Sequence, residues 1–175
     1  MVTMSRDRAT IHGTLVRVDG KGVLYIGEAG TGKSSLALKL LWAGHLLVAD
    51  DVVVIERTGD VLFGSAPERL KGVIAIPDLG IFDVRDVLGN RHFTDSSRID
   101  RCVEIVSQNG SFKLTGEMEL LGIKVPMSRQ DLQCEAEARV FTSTIDRKSI
   151  RKSELRFLRA HAAFVASPKQ EYVTE

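Results

Sequence analysis

The run Gly27-Glu28-Ala29-Gly30-Thr31-Gly32-Lys33-Ser34 satisfies G-x-x-x-x-G-K-[ST] at every fixed position. Its chemistry is phosphate binding. A polyanion is held when several backbone N–H groups point into one concavity, which needs glycines that turn tightly without a Cβ. Lys33 adds a point charge and Ser34 a hydroxyl suited to Mg²⁺; with Ser35 following, Gly27 through Ser35 is the expected phosphate-binding set. A second run, Leu46-Leu47-Val48-Ala49-Asp50-Asp51, places two acids after apolar residues. Burying a carboxylate without a partner is costly, so these acids must reach a strand's exposed end or meet a cation. Four apolar residues followed by an acid is the Walker B pattern, in which the acid stands beside the phosphate loop and helps hold Mg²⁺. Neighbouring strand residues face opposite ways, so Asp50 and Asp51 should have different jobs unless the strand ends or bulges there. His12 is a third candidate, followed by Gly13, where close backbone approach is allowed. The plainer alternatives are a solvated Asp-Asp turn and a structural histidine.

The elements that must hold these groups are legible around them. Val23-Leu24-Tyr25-Ile26 is a strand leading into the phosphate loop, and Asp19-Gly20 is a turn that joins it to a strand over residues 11–18. After Ser34 an apolar helix runs to Ala43, with Gly44 suited to its C-terminal stop. Its N-terminus aims unpaired N–H groups at the phosphate site. Thr58-Gly59-Asp60 predicts a hairpin turn, and Pro67 opens a short helical turn. Val73-Ile74-Ala75-Ile76 predicts a buried strand, residues 88–98 a mobile surface segment, residues 99–106 a strand and residues 121–126 a last short edge strand. Over residues 147–165 apolar residues recur at helical spacing among arginines and lysines, which predicts a basic helical segment, either solvated or docking an acidic partner.

The 175 residues suit a single α/β domain with a proper core. A formal charge of +1 provides no global field for nucleic acid or membrane, so neither is an expected partner. Cys102 and Cys134 form neither a disulfide framework nor a metal spacing, and both read as packing residues or inert thiols. With no apolar leader at the N-terminus and no run long enough to span a bilayer, the expected location is cytoplasmic.

Taken in order, Thr10-Ile11-His12-Gly13, Gly27 to Ser34, Gly44-His45-Leu46-Leu47-Val48-Ala49-Asp50-Asp51 and Leu79-Gly80-Ile81-Phe82-Asp83-Val84 resemble the catalytic domain of bacterial HPr kinase/phosphorylase. The resemblance implies an α/β P-loop fold, phosphoenolpyruvate-carboxykinase-like, with a mixed sheet around the P-loop helix. It also implies ATP- and Mg²⁺-dependent phosphorylation of a serine on HPr, a phosphocarrier, or on another small protein or peptide. The same site would run in reverse with inorganic phosphate releasing pyrophosphate, and the family's assemblies are homo-oligomers, typically hexamers. Carried over by position, Gly27, Gly30, Gly32 and Lys33 cradle phosphates, Ser34 binds Mg²⁺ and His12 stands near the phosphates. One acid of the pair is the base for the serine proton. The role falls first to Asp50, with Asp51 as a metal ligand or supporting partner, and sequence leaves the exchange open. His12, Lys33, Asp50 and Asp51 thus form the expected catalytic set, and Ser34, Asp50 and Asp51 the expected metal set.

Two departures stand out. The family's Glu-x-Arg-Gly before Leu-Gly-Ile falls here on Ala75, Pro77 and Asp78, so the expected metal carboxylate and arginine are absent. The Arg-Pro-Gly-Arg-Asn loop is replaced by Pro126-Met127-Ser128-Arg129-Gln130, leaving Arg129 or the basic residues from Arg147 to Lys152 as substitutes. Three readings follow: a divergent serine protein kinase/phosphorylase, a non-catalytic nucleotide or phosphate sensor, and a general ATPase or small-molecule kinase.

Overall fold

Short apolar runs make up most of the strands, and in a computed structural model they sort onto two sheets; residues 7–76, 80–106 and 113–131 are described. In chain order the elements are β1 (Arg8–His12), β2 (Thr14–Val18), β3 (Lys21–Ile26), α1 (Lys33–Trp42), β4 (Leu46–Ala49), β5 (Val52–Thr58), β6 (Val61–Ser65), β7 (Val73–Ile76), β8 (Gly80–Asp83), α2 (Val84–Leu88), β9 (Ser96–Arg98), β10 (Arg101–Val106), β11 (Lys113–Leu120) and β12 (Ile123–Asp131). The larger sheet runs β11-β12-β10-β3-β2-β4. In it β10 lies parallel to both β3 and β12, and the other pairs are antiparallel. A second, antiparallel sheet runs β1-β5-β6-β9, and β7 and β8 form a separate hairpin. The mixed α/β architecture is the expected one.

The central strands of the larger sheet, β2, β3 and β10, are buried on both faces, which explains their near-continuous apolar character. Val16, Val23, Tyr25, Leu47, Val103 and Ile105 pack on one side with α1, β7 and α2. Their neighbours Leu15, Leu24, Val48 and Cys102 pack on the other side with Val53, Ile55 and Leu62 of the second sheet. Burial pushes the Cys102 thiol up to about 12, consistent with a packing residue.

The strand expected over residues 11–18 is divided at Gly13 into β1 and β2, which belong to different sheets. Gly13 makes this crossing feasible, because a Cβ there would lie 2.7 Å from the Tyr25 carbonyl oxygen. The Asp19-Gly20 turn then joins β2 to β3 as expected, with positive φ at both residues. Helix α1 ends in a Schellman motif: the Gly44 N–H donates to Leu41 O (3.0 Å) and the His45 N–H to Leu40 O (3.1 Å).

The His45 imidazole beyond this stop is buried, with Nδ1 3.9 Å from Asp19 Oδ1 and Nε2 lacking a hydrogen-bond partner among the described residues. Burial lowers its pKa, opposed by the Asp19 carboxylate. The folded state therefore binds this proton less well than the unfolded state, whose histidine titrates near ~6.5. Stability from this residue is present above that pH and is lost as pH falls toward the folded-state value. We expect the urea midpoint to drop between about pH 7 and pH 5, and His45→Gln to flatten that slope. A slope identical in the variant would assign the effect to other groups.

Two expectations are corrected. Residues 88–98 hold a 3-10 turn (Asn90–His92) and β9, with His92 and Ser97 buried. This segment is drawn in because Phe93 bridges to Leu47 at the β4 edge and β9 pairs with β6. Residues 121–126 are not an edge strand: Leu121-Gly122 is the turn into β12, an internal strand between β11 and β10. Pro126 is accommodated because it stands one residue before the pairing with β10 begins at Met127. Cys134, the basic segment 147–165, Pro77 and Asp78 lie outside the described residues. Among the described residues no helix is long and apolar enough to cross a membrane.

Candidate active site

Parallel β3 and β10 direct their C-terminal ends toward the same edge, and the chain leaving β3 turns through the glycine-rich loop into α1. Gly27 begins the turn at φ +144°, and a Cβ there would lie 2.4 Å from the Ile105 carbonyl oxygen. The loop is thus seated directly against β10. Gly27→Ala combines forbidden φ with a backbone clash, and we expect it to cost about 3 kcal/mol, read as a lower urea midpoint. An unchanged midpoint would mean that this seat relaxes freely.

Within the loop the buried Lys33 ammonium donates to Gly27 O (2.9 Å) and Glu28 O (2.7 Å). Burial lowers its pKa, while the Asp50 and Asp51 charges pull it back up. Thr31 closes the other side of the turn, its hydroxyl donating to Glu28 O at 2.9 Å. A polyphosphate entering the loop would give this ammonium oxyanions in place of the neutral carbonyls.

The acid pair is separated by backbone geometry. β4 ends at Ala49, and the Val52 N–H donates to Asp50 O at 2.8 Å, forming a three-residue turn with Asp51 at φ +65°. Such a conformation is uncommon for a non-glycine residue, although aspartate tolerates it better than most. The turn sends the two side chains to different places. Asp50 is 3 % exposed and accepts from three donors: Thr14 Oγ1 (2.7 Å) and Ser34 Oγ (2.9 Å) at Oδ1, and the Ala75 N–H (3.2 Å) at Oδ2. Asp51 has a 66 % exposed side chain and stands beside His12, whose Nδ1 lies 3.1 Å from Asp51 Oδ1 and 2.9 Å from Asp51 O. Facing two oxygens, Nδ1 carries a hydrogen. The same Asp51 carbonyl accepts the Gly13 N–H at 3.1 Å, tying the β1–β2 crossing to the acid turn.

The structure therefore brings together Gly27–Ser34, Asp50, Asp51 and His12, and it adds Thr14 and the Ala75 backbone to them. No local sequence signal marks Thr14, since its partner is 36 residues away. Ala75 sits at the site through its N–H, with its methyl group exposed. Arg129, a candidate substitute cation, lies on β12 and is paired with Glu104 on β10.

Among the described residues no group of three or more His, Cys, Asp or Glu could hold a metal. What is present is a serine hydroxyl donating to a buried carboxylate beside a phosphate loop. That hard-oxygen set suits Mg²⁺, which takes few protein ligands and completes its shell with phosphate and water.

A parallel strand, glycine-rich turn and helix, with the acid just beyond the end of β4 on the Ser34 hydroxyl, define a P-loop phosphate-binding fold. More narrowly, the sequence profile of the HPr Serine kinase C-terminal domain matches residues 4–142, and the chain belongs to that family. The HPr kinase/phosphorylase of Caldicellulosiruptor bescii is 44% identical over 126 residues, covering 68% of this chain and 40% of the relative. That of Caldanaerobacter subterraneus subsp. tengcongensis is 48% identical over 97 residues, covering 55% of this chain and 32% of the relative. The chain spans less than half the length of these curated relatives. Among solved structures, that of the Hpr(Ser) kinase/phosphatase from Coxiella burnetii superposes with a TM-score of 0.67 at 26% identity, covering 90% of this chain and 99% of that one.

Proposed function

We propose that this chain is a serine protein kinase/phosphorylase domain that uses ATP and Mg²⁺ and acts on a small HPr-like phosphocarrier or a related protein. The observation that carries the reading is the division of labour between adjacent acids: Asp50 buried on Ser34, Asp51 exposed and paired with His12. We assign the base to Asp51, reversing the first assignment from sequence. Asp50 is enclosed and already accepts from three donors, so it has no access to a substrate hydroxyl. Asp51 is open to solvent, beside His12 and within electrostatic reach of Lys33.

In the forward direction the substrate serine Oγ attacks the terminal phosphorus of ATP. The new Oγ–P bond forms as the bond to the β-phosphate oxygen breaks, and Asp51 takes the serine proton. His12 holds that carboxylate through Nδ1, Lys33 meets the phosphate oxygens, and Asp50 keeps the Ser34 hydroxyl oriented. Bound Mg²⁺, held by Ser34 with Asp50 behind it, would neutralise charge on the phosphates. In reverse, inorganic phosphate attacks phosphoserine, pyrophosphate leaves, and Asp51 returns the proton to the serine oxygen. The single-domain reading of residues 1–175 and a homo-oligomeric, hexamer-like assembly belong to the same proposal.

The experiment is incubation of the chain with labelled ATP, Mg²⁺ and an HPr-type phosphocarrier. Label on serine, released as pyrophosphate on adding inorganic phosphate, is the expected result. ATP binding without transfer to protein would overturn it and favour the second reading, a nucleotide or phosphate sensor. That reading draws on the Ala75 methyl at a position beside Asp50 where the family carries a carboxylate.

A further inference from the structure

The rungs of the larger sheet just before the phosphate loop hold an ion pair that the mechanism above does not use. Ile26 is in register with Glu104, and Glu104 with Arg129. Residues in register across adjacent strands project to one face, and Ile26, Val125 and Met127 identify it as the face packed against the second sheet. That sheet also carries His12. A Cβ at Gly13 would lie 3.5 Å from Ile26 Cγ2, so the Ile26 side chain has the His12–Gly13 crossing on one flank and Glu104–Arg129 on the other. Adjacent strands stand about 4.8 Å apart, so the guanidinium, held on Glu104, lies about one strand spacing from the strand that ends at Ile26, the residue before the loop. Arg129 Nε and Nη2 both donate to Glu104 Oε2 at 2.8 Å, fixing the guanidinium through one edge. Among the described residues no acceptor meets its other edge, which can take a second bidentate partner.

Resting on the kinase reading, we propose that Arg129 binds the terminal phosphate of the nucleoside triphosphate from the acceptor side, with Glu104 as its positioning residue. Lys33 would meet the same phosphate from within the loop. Buried in the loop, Lys33 serves as a point charge, whereas a guanidinium supplies the planar fork suited to oxyanions.

The test measures MgATP and MgADP affinity of the full 175-residue chain by calorimetry, with Arg129→Ala, Arg129→Lys, Glu104→Ala and Glu104→Gln. Arg129→Ala should weaken MgATP about tenfold and leave MgADP within about twofold, with Arg129→Lys recovering part of the loss. Glu104→Ala should lower the same ATP-to-ADP preference and Glu104→Gln, which keeps an acceptor oxygen, should restore it. Unchanged MgATP affinity in Arg129→Ala, or equal loss for both nucleotides, would overturn the proposal. An unchanged preference in Glu104→Ala would overturn the positioning role. A wild-type chain that binds neither nucleotide would instead overturn the kinase reading itself.

Discussion

Asp51→Asn is expected to lower the rate of phosphoryl transfer about 10²–10⁴-fold while MgATP affinity changes by less than about threefold. Asparagine is the informative replacement for two reasons. Its volume matches aspartate, and it is among the few residues that tolerate the positive φ that Asp51 adopts, at +65°. The turn that separates the acids, with its Val52-to-Asp50 hydrogen bond, should therefore survive. What disappears is the negative oxygen that can take a proton. Single-turnover transfer from labelled ATP measures the rate, and calorimetry measures binding. A rate near wild type in Asp51→Asn would return the base to another group, with Asp50 the remaining acid of the pair.

Asp50→Asn should act on the metal and on Lys33. Oδ1 accepts the Thr14 and Ser34 hydroxyls and Oδ2 the Ala75 N–H, so an amide nitrogen at either position opposes at least one donor. Outer groups that orient a metal ligand typically matter by 10–100-fold, and the Mg²⁺ concentration for half-maximal ATP binding should rise by about that factor. The lost charge also has a pH signature. Burial already lowers the Lys33 pKa, and Asp50 is the stronger of the two charges opposing that fall. Removing it drives the folded-state pKa down further, so Lys33 is neutralised at lower pH and the alkaline limb of ATP binding should move to lower pH. Unchanged Mg²⁺ dependence together with an unmoved alkaline limb would mean that Asp50 is only a structural acceptor for Thr14 and Ser34.

The neighbouring position refines this picture. Ala75 offers its N–H to Asp50 and only a methyl group to the site. If metal affinity is limited by the missing carboxylate, Ala75→Glu should lower the Mg²⁺ requirement that Asp50→Asn raises. The two variants thus bracket the wild type from opposite sides.

The phosphate loop was legible in the sequence because its function is local. Eight consecutive residues carry both the turn geometry and the charge, and flanking apolar runs are enough to identify the strand before it and the helix after it. The same holds for the α1 stop, where Gly44 and His45 bond back to Leu41 and Leu40 within one turn. It was less true of residues 88–98 and 121–126, whose structure depends on strands elsewhere: β9 needs β6, and β12 becomes internal only because β10 lies beside it. Polar composition and a proline are weak guides when long-range pairing provides the hydrogen bonds.

By itself, then, the sequence determined a strand, glycine-rich turn and helix from Gly27 to Ser34 of the kind that cradles phosphate, and a pair of acids that must part company at the end of a strand. Only the tertiary structure decided how they part. Asp50 finds Ser34, Ala75 and Thr14 across separations of 16, 25 and 36 residues, and Asp51 meets His12 across 39. Two adjacent carboxylates have the same intrinsic chemistry. Burial with donors makes one a holder of the hydroxyl, and exposure beside an imidazole leaves the other free to take a proton.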